Sequence, residues 1–251
     1  MSEHYFTAKP SSEARERTIT YSARGFTYSV LAPDGVFSAQ QLDRGTQVLL
    51  AKAPHTDLSS AAAVTVPECT SSSEGSKGRK GSEGHHSASQ DLLTDASALC
   101  VDVGCGWGPI TFALAREYPG ATVLGVDINE RALAAARRNA QRLGLDHAVT
   151  IEEAQSALQR LQAAGTYIDL IWSNPPIRIG KTALHELLTA WLSLLRPETG
   201  EAYWVVQKNL GADSLVAWLS KHGFPSEKIG SSKGYRIIRS VNHCAVNHSQ
   251  G

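Results

Sequence analysis

Three groups of residues combine type and spacing in a way that can do chemistry. Asp102-Val103-Gly104-Cys105-Gly106-Trp107-Gly108-Pro109 follows an apolar run and precedes a helical pattern. A glycine turn between strand and helix lets a ligand approach the backbone closely, although it can also be an ordinary tight turn. The glycines do not follow G-x-G-x-x-G, so the dinucleotide fingerprint fails. Asp127 then ends Leu124-Gly125-Val126-Asp127-Ile128, about twenty residues further on. A carboxylate there can accept hydrogen bonds from both hydroxyls of a ribose. It can also cap the helix beginning near Glu130, a role for which Asn129 is equally good and closer. The third group is Asn174-Pro175-Pro176-Ile177. Its prolines remove two backbone donors and hold Asn174 extended. The Asn174 side-chain oxygen and the Pro175 carbonyl can then face one point, a pair of acceptors suited to an exocyclic NH2 group. A turn that merely ends a strand is the alternative.

All three groups fall at strand ends. Ala98–Val103 reads as a buried strand and Pro109–Tyr118 as a helix opened by proline, a favoured first-turn residue. Strand Thr122–Ile128, helix Glu130–Leu143 closed by Gly144, and strand Val149–Glu152 come after it. Next are helix Ser156–Ala164, strand Tyr167–Ser173, helix Thr182–Leu195, strand Glu201–Gln207 and helix Ala212–His222. Lys228–Ser231 and Tyr235–Val241 read as a final hairpin. Repeated β–α units imply an α/β fold, a mostly parallel sheet with helices on both faces. Ligands of such sheets bind beyond the carboxyl ends of the strands, where the three groups lie. The stripe Leu187, Leu188, Trp191 and Leu195 has helical spacing and reads as core.

Composition divides the chain into zones. Residues 1–52 are a β-rich extension. Thr18–Tyr21 and Phe26–Leu31 are joined by the turn Ala23-Arg24-Gly25, and Pro33-Asp34-Gly35 marks another. This is too little to fold well alone and should pack on the core domain. Residues 53–95 read as a disordered linker or insertion. From Cys69 to Gln90, 22 residues include 7 Ser and 4 Gly, with no aromatic or large aliphatic side chain. Such a stretch cannot bury enough surface to offset its ordering entropy. Residues 96–241 form the core domain, and 242–251 a flexible tail.

The overall balance of 24 Lys+Arg against 24 Asp+Glu excludes a strongly basic coat protein for nucleic acid, but not an enzyme with a local basic patch. Cys69, Cys100, Cys105 and Cys244 have no CxxC spacing, which argues against a disulfide scaffold or a zinc module. No metal is expected, and His85-His86 with Cys69 offer no four-ligand pattern. His147, His185, His222, His243 and His248 show no catalytic spacing. Cys105 reads as a small residue tolerated in a tight loop, and Trp107 as packing beneath it. The charged N-terminus has no apolar stretch resembling a signal peptide, and nothing approaches the ~18 apolar residues of a membrane span, so a cytoplasmic location is expected.

D-x-G-x-G-x-G at 102–108 resembles the S-adenosylmethionine (SAM) loop of class I methyltransferases. Asn174-Pro175-Pro176-Ile177 resembles motif IV of amino-directed N-methyltransferases. Its continuation Arg178-Ile179-Gly180-Lys181, with Val205–Lys208 and Lys233–Arg236, resembles the small-domain methyltransferases, a family that includes rRNA guanine-N2 methyltransferases. His4–Thr7, Gly35–Ser38 and Asp43-Arg44-Gly45-Thr46 resemble the N-terminal extension of its single-domain members. The resemblance implies a doubly wound, mostly parallel, seven-stranded Rossmann-like sheet with a C-terminal antiparallel hairpin. It implies SAM as cofactor, held by Asp102, Gly104, Cys105, Gly106, Trp107, Gly108, Asp127, Ile128 and Asn174. Asn174, Pro175, Pro176 and Ile177 then carry catalysis by aiming an amine lone pair at the methyl sulfonium.

Two points depart from the family. An acidic residue often contacts the adenine amino group after the third strand; here Glu152, Glu153 or Gln155 can serve. The Ser/Gly-rich insertion is foreign to the compact pattern. Ile177 replaces the aromatic residue common in adenine-N6 and protein-glutamine methyltransferases and cannot stack on a flat substrate. That weakens the adenine and glutamine readings without excluding them, and the substrate that the resemblance implies is a guanine N2 in rRNA, free or in a ribosomal subunit. A protein or small-molecule amine, or a non-catalytic SAM- or RNA-binding module, is the alternative. Arg178, Lys181 and Lys208 are candidate phosphate contacts. Lys233, Arg236 and Arg239, with Lys9, Arg15, Arg17 and Arg24, extend this basic rim unless they are simply scattered solvated charges.

Overall fold

The computed structural model describes residues 16–34, 36, 38, 40–59, 97–176 and 179–243. Several features singled out in the sequence lie outside the described residues. They are His4–Thr7, Lys9, Arg15, Gly35, Phe37, the segment holding Cys69, His85 and His86, the pair Ile177 and Arg178, and the tail with Cys244 and His248.

Strands β1 (Glu16–Ala23) and β2 (Phe26–Pro33) pair antiparallel, with Ala23 opposite Phe26. The connection Arg24-Gly25 has φ values of 52° and 82°. Two successive positive values give the tight turn whose twist matches that of the strands it joins. The second half of the extension is helical, where the sequence pattern suggests only a β-rich region. Asp43 caps α1 (Arg44–Lys52), its Oδ2 accepting from the Thr46 N–H at 3.1 Å. Val48, Leu49 and Leu50 of α1 are buried. Capping and the burial of this face together select helix over strand.

The core alternates β3 (Leu99–Val103), α2 (Pro109–Glu117), β4 (Thr122–Asp127), α3 (Glu130–Arg142), β5 (Val149–Glu153), α4 (Ala154–Ala164), β6 (Leu170–Ser173), α5 (Lys181–Leu192), β7 (Glu201–Gln207), α6 (Ala212–Lys221), β8 (Ser226–Ser232) and β9 (Tyr235–Val241). The seven-stranded sheet has the order β5-β4-β3-β6-β7-β9-β8. Strands β3 to β7 run parallel, and β9 returns antiparallel to β7 and β8. Successive side chains alternate between two apolar layers. Cys100, Trp172, Tyr203 and Val205 pack with α1, α2, α3 and the β1–β2 hairpin. Val101, Val103, Ile171, Trp204 and Val206 pack with α4, α5 and α6. A sheet buried on both faces explains why its strands read as continuous apolar runs.

Strand β6 begins three residues later than its apolar run suggests. Ile168 makes only a lone bridge to Leu195, while Asp169 turns away to accept from the Leu99 N–H at 2.8 Å and to pair with Arg196 at 2.5 Å. The Ile168 N–H donates to the Leu194 carbonyl, which belongs to the chain leaving α5 rather than to the helix.

The extension is tied firmly to the core. Asn139, buried on α3, acts as a substitute strand edge for β2. Its Oδ1 accepts from the Leu31 N–H at 2.7 Å, and its Nδ2 donates to the carbonyls of Leu31 at 2.8 Å and Trp107 at 3.0 Å. Arg24 donates to Glu117 through Nε at 2.6 Å and to the Ala53 carbonyl at 2.9 Å. Thr56, within the stretch expected as linker, lies against the core. Its N–H donates to the Tyr118 hydroxyl at 3.0 Å and its Oγ1 to Glu201 at 2.9 Å. Asn242, at the start of the expected tail, is buried and donates to the Leu195 carbonyl at 3.0 Å.

Candidate active site

A cavity of about 710 Å³ opens at the carboxyl ends of the parallel strands. The glycine loop forms one wall. Gly104 and Cys105 both donate their N–H to the Val126 carbonyl at 2.8 Å, which pins the loop to the end of β4. Gly104 and Gly106 line the cavity, with φ values of 81° and 57°. A Cβ on Gly106 would meet nothing within 4 Å, and one on Gly104 only Pro176 Cδ at 4.0 Å. Both glycines therefore present bare backbone to open space, the kind of surface on which a polar ligand can lie close.

Val103 also lines the cavity, while Asp102, Cys105, Trp107 and Gly108 support this wall from behind. A Cβ on Gly108 would lie 2.3 Å from the Phe112 ring, so this glycine makes room for the first turn of α2. Trp107 is buried, edge-on to Tyr21 at 5.8 Å. Cys105 is buried, and burial, followed by the charges of Asp127 and Asp102, pushes its thiol well above its ordinary pKa. That excludes a ready thiolate. Asp102 is fully buried at the end of β3. Its Oδ2 accepts from the Thr111 N–H at 2.8 Å and Oγ1 at 2.6 Å, joining β3 to α2. Its Oδ1 has no partner among the described residues, and burial pushes the carboxyl up to about 7.

Asp127 lines the cavity at the end of β4. The structure separates its two possible roles. Asn129 caps α3, its side chain accepting from the N–H groups of Arg131 at 3.0 Å and Ala132 at 3.2 Å. Asp127 instead accepts from Gly106 N–H at 2.8 Å and Asn129 N–H at 2.9 Å, one to each oxygen. The Ile128 backbone also donates to it, and of the roughly four acceptor sites of a carboxylate one is left for a ligand hydroxyl. Burial raises the Asp127 pKa, opposed by these backbone donors. Ile128, 45% exposed, lines the cavity beside it with Ala154, Gln155 and Leu158 of α4. Of the three candidates at the end of β5, Gln155 reaches the cavity. Glu153 caps α4 through the Gln155 N–H at 3.0 Å and the Ser156 N–H at 2.8 Å. Glu152 pairs with Arg160 at 3.0 Å.

Asn174, Pro175 and Pro176 continue from β6, the neighbour of β3, and form the adjoining wall. Ser173 Oγ donates to the Val103 carbonyl at 2.6 Å and so fixes this strand end against that of β3. Asn174 Nδ2 donates to Asp43 Oδ2 at 2.8 Å and to Thr46 Oγ1 at 3.1 Å. Asp43 also lines the cavity, as do Val36, Gln207 and Tyr235, with Gln207 Nε2 donating to the Tyr235 hydroxyl at 3.0 Å. Sequence reasoning assigned none of these four to the site. The Asp43–Thr46 spacing is a helix-cap signal, but its 131-residue separation from Asn174 hides the contact. The Leu187–Leu195 stripe is core as expected, yet Leu187 and Trp191 also reach the cavity.

The basic residues do not all share a rim. Arg239 pairs with Glu201 at 2.6 Å and Glu227 at 3.2 Å, while Arg24 is engaged by Glu117. These two are corrections to the basic patch, since paired guanidinium groups are not available to phosphates. Arg17 lies 3.6 Å from Asp34. Lys181 and Lys208 are exposed and lie outside the cavity lining. Lys208 comes directly after Gln207, and its N–H donates to the Gly234 carbonyl at 2.8 Å, which brings it to the Lys233-Gly234 turn beside Tyr235. Among the described residues no cluster of His, Cys, Asp and Glu fits a metal, and no helix is long and apolar enough to cross a membrane.

A strand-end cavity with a bare glycine loop, an acid on the next strand and an Asn-Pro-Pro wall agrees with what comparison with known proteins finds. Residues 86–239 match the family described as methyltransferase small domain. The chain belongs to this family. It is a class I methyltransferase, a fold whose methyl donor is SAM, and the bare backbone at Gly104 and Gly106 with Asp127 beside it fits that group. The methyltransferase is 27% identical over 240 residues to the uncharacterized protein YbxB of Bacillus subtilis, covering 95% of this chain and 98% of that one. It is 30% identical over 165 residues to ribosomal RNA small subunit methyltransferase C of Aeromonas hydrophila, covering 66% of this chain and 35% of that one. It thus spans about a third of that enzyme. The T. thermophilus 16S rRNA N2 G1207 methyltransferase RsmC, solved with AdoMet and guanosine, superimposes with a TM-score of 0.61 at 18% identity. That match covers 94% of this chain and 52% of that one.

Proposed function

We propose that this methyltransferase modifies the exocyclic N2 amino group of a guanine in rRNA, in the cytoplasm. The observation that carries the reading is the Asn174 amide, held on the cavity wall beside the glycine loop with both its N–H groups engaged by Asp43 and Thr46. Its oxygen is left as an acceptor for a substrate amine. The names of two relatives, rRNA small subunit methyltransferase C and the N2 G1207 enzyme, support the substrate class.

When bound, SAM supplies an electrophilic methyl group on a sulfonium. Asp127 would accept from a hydroxyl of its ribose, Gly104 and Gly106 would offer bare backbone to its amino-acid portion, and Ile128, Leu158 and Gln155 would surround its base. Asn174 Oδ1 and the Pro175 carbonyl accept the two N–H groups of the guanine amine. They hold its nitrogen in line and stabilise the positive charge that develops there during transfer. No histidine lines the cavity among the described residues, and the Cys105 thiol is buried. Positioning and acceptor electrostatics carry the step in this reading, and the excess proton leaves the product amine to water. Lys208 and Lys233 flank the mouth as phosphate contacts.

The test is Asn174→Ala. Methyl transfer from labelled SAM to rRNA is expected to fall about 10²- to 10³-fold, the loss typical of removing one group that stabilises transition-state charge. SAM binding measured by calorimetry should stay nearly intact. Full turnover in the variant refutes the mechanism. Mass-spectrometric mapping of rRNA from deletion and wild-type cells names the nucleotide; label found in protein or in a soluble amine instead refutes the rRNA substrate.

A further inference from the structure

Asp43-Arg44-Gly45-Thr46 opens α1 and lies 131 residues before Asn174, yet three of its four residues converge on the Asn174 amide. Asp43 Oδ2 accepts one Nδ2 proton at 2.8 Å and Thr46 Oγ1 accepts the other at 3.1 Å. Gly45 permits the close approach. A Cβ there would lie 2.9 Å from Asp43 Oδ2 and 3.1 Å from Asn174 Oδ1. The Thr46 N–H donates back to Asp43 Oδ2 at 3.1 Å, which holds the carboxylate in place.

We propose that Asp43 is a positioning residue that locks the orientation of the Asn174 amide. The proposal rests on the role given to Asn174 above. An ionised carboxylate can only accept hydrogen bonds. Turning the amide over would set Asn174 Oδ1 against Asp43 Oδ2 with no proton between them. The nitrogen must therefore face Asp43, and the oxygen is left for the cavity. The amide of an unconstrained Asn presents its nitrogen as readily as its oxygen, and an N–H in that place would repel the donor groups of an incoming amine. The extension thus completes the catalytic wall in addition to packing on the core.

Capping α1 is the competing explanation for Asp43, and substitutions separate the two roles. Serine is a good N-cap but is one bond shorter, so Asp43→Ser keeps the cap and withdraws the acceptor from Asn174. Asp43→Asn can place a neutral oxygen at the Oδ2 position and so retains a weaker form of the lock. The first readout is the Asn174 side-chain NH2 in ¹⁵N-correlated NMR spectra of the full chain, assigned by its loss in Asn174→Ala. In the wild type it should be shifted and slow to exchange with solvent. In Asp43→Ser it should move to free-amide values, while the unfolding midpoint stays that of a capped helix. The second readout is methyl transfer to rRNA. The kcat should fall about tenfold in Asp43→Ser, the loss expected for about 1.4 kcal/mol, with Asp43→Asn between it and wild type and SAM affinity unchanged in both. An Asn174 signal unmoved in Asp43→Ser, or an unchanged kcat, overturns the proposal. If the wild type methylates no RNA, the substrate reading fails, while the NMR signal still decides whether the lock exists.

Discussion

Asp102 offers a quantitative test of how the glycine loop is supported. Burial holds its carboxyl at about 7 against an ordinary 3.8, partly offset by the two hydrogen bonds from Thr111. The folded protein therefore binds this proton more tightly than the unfolded chain does. The associated stability is full below pH 3.8, is lost as pH rises to the folded pKa, and stays lost above it. A pKa difference of about 3, at 1.36 kcal/mol each, gives roughly 4 kcal/mol in total, of which about 3 kcal/mol falls between pH 4.5 and 7. Asp102→Asn keeps an oxygen for Thr111 and removes the titration. Urea unfolding of both proteins across pH 4.5–8 should show the wild type losing about 3 kcal/mol relative to the variant. SAM affinity should not change, because Asp102 lies outside the cavity lining. Parallel stability curves refute the buried, raised carboxyl. A lost SAM affinity refutes the assignment of Asp102 to the scaffold.

Asp127→Asn removes a charged acceptor and sets an amide N–H against the backbone donors of Gly106 or Asn129. SAM affinity measured by calorimetry is expected to fall about 10- to 100-fold, the equivalent of a hydrogen bond to a charged group. Because the Asp127 pKa is raised and the carboxylate is the accepting form, wild-type SAM affinity should also weaken as pH falls, and the variant should lose that dependence. An unchanged affinity removes Asp127 from the ribose site. Charge reversal at Lys208 and Lys233 together should weaken RNA binding across sequences while sparing SAM. The slope of log affinity against log salt should shrink by about 1 for each phosphate that is no longer neutralised. An unchanged slope in a salt titration takes both lysines off the rim.

How much of the molecule was legible in the sequence depends on physical range. The β–α alternation, the glycine loop, Asp127 and the Asn-Pro-Pro turn are local patterns, each set by residues within one strand-to-helix junction. Hydrophobic period and turn chemistry reveal such patterns directly. The spacing does not show which side of a tight loop each residue serves. Gly106 faces the cavity while Gly108, two residues on, makes room for Phe112. Asp102 and Glu153 likewise read as ligand contacts by position, but Asp102 is buried behind the loop with Oδ2 held by Thr111, and Glu153 is engaged by the start of α4. The basic rim failed at Arg24 and Arg239 for a related reason. Sequence counts charges but does not show that Glu117 and Glu201 stand opposite them.

The extension shows why long-range contacts matter most where chemistry needs rigidity. A strand end with two prolines after it restricts the Asn174 backbone, but not the rotation of its amide. That orientation needs partners of fixed polarity. It comes instead from the start of α1, whose place is secured independently by Asn139 against β2, by Arg24 between Glu117 and the chain after α1, and by the burial of Leu49. Loosening any of these ties moves Asp43 relative to Asn174 while leaving the glycine loop and Asp127 in place. Substitutions in the hairpin, far from the glycine loop, should therefore act on turnover before they act on SAM binding.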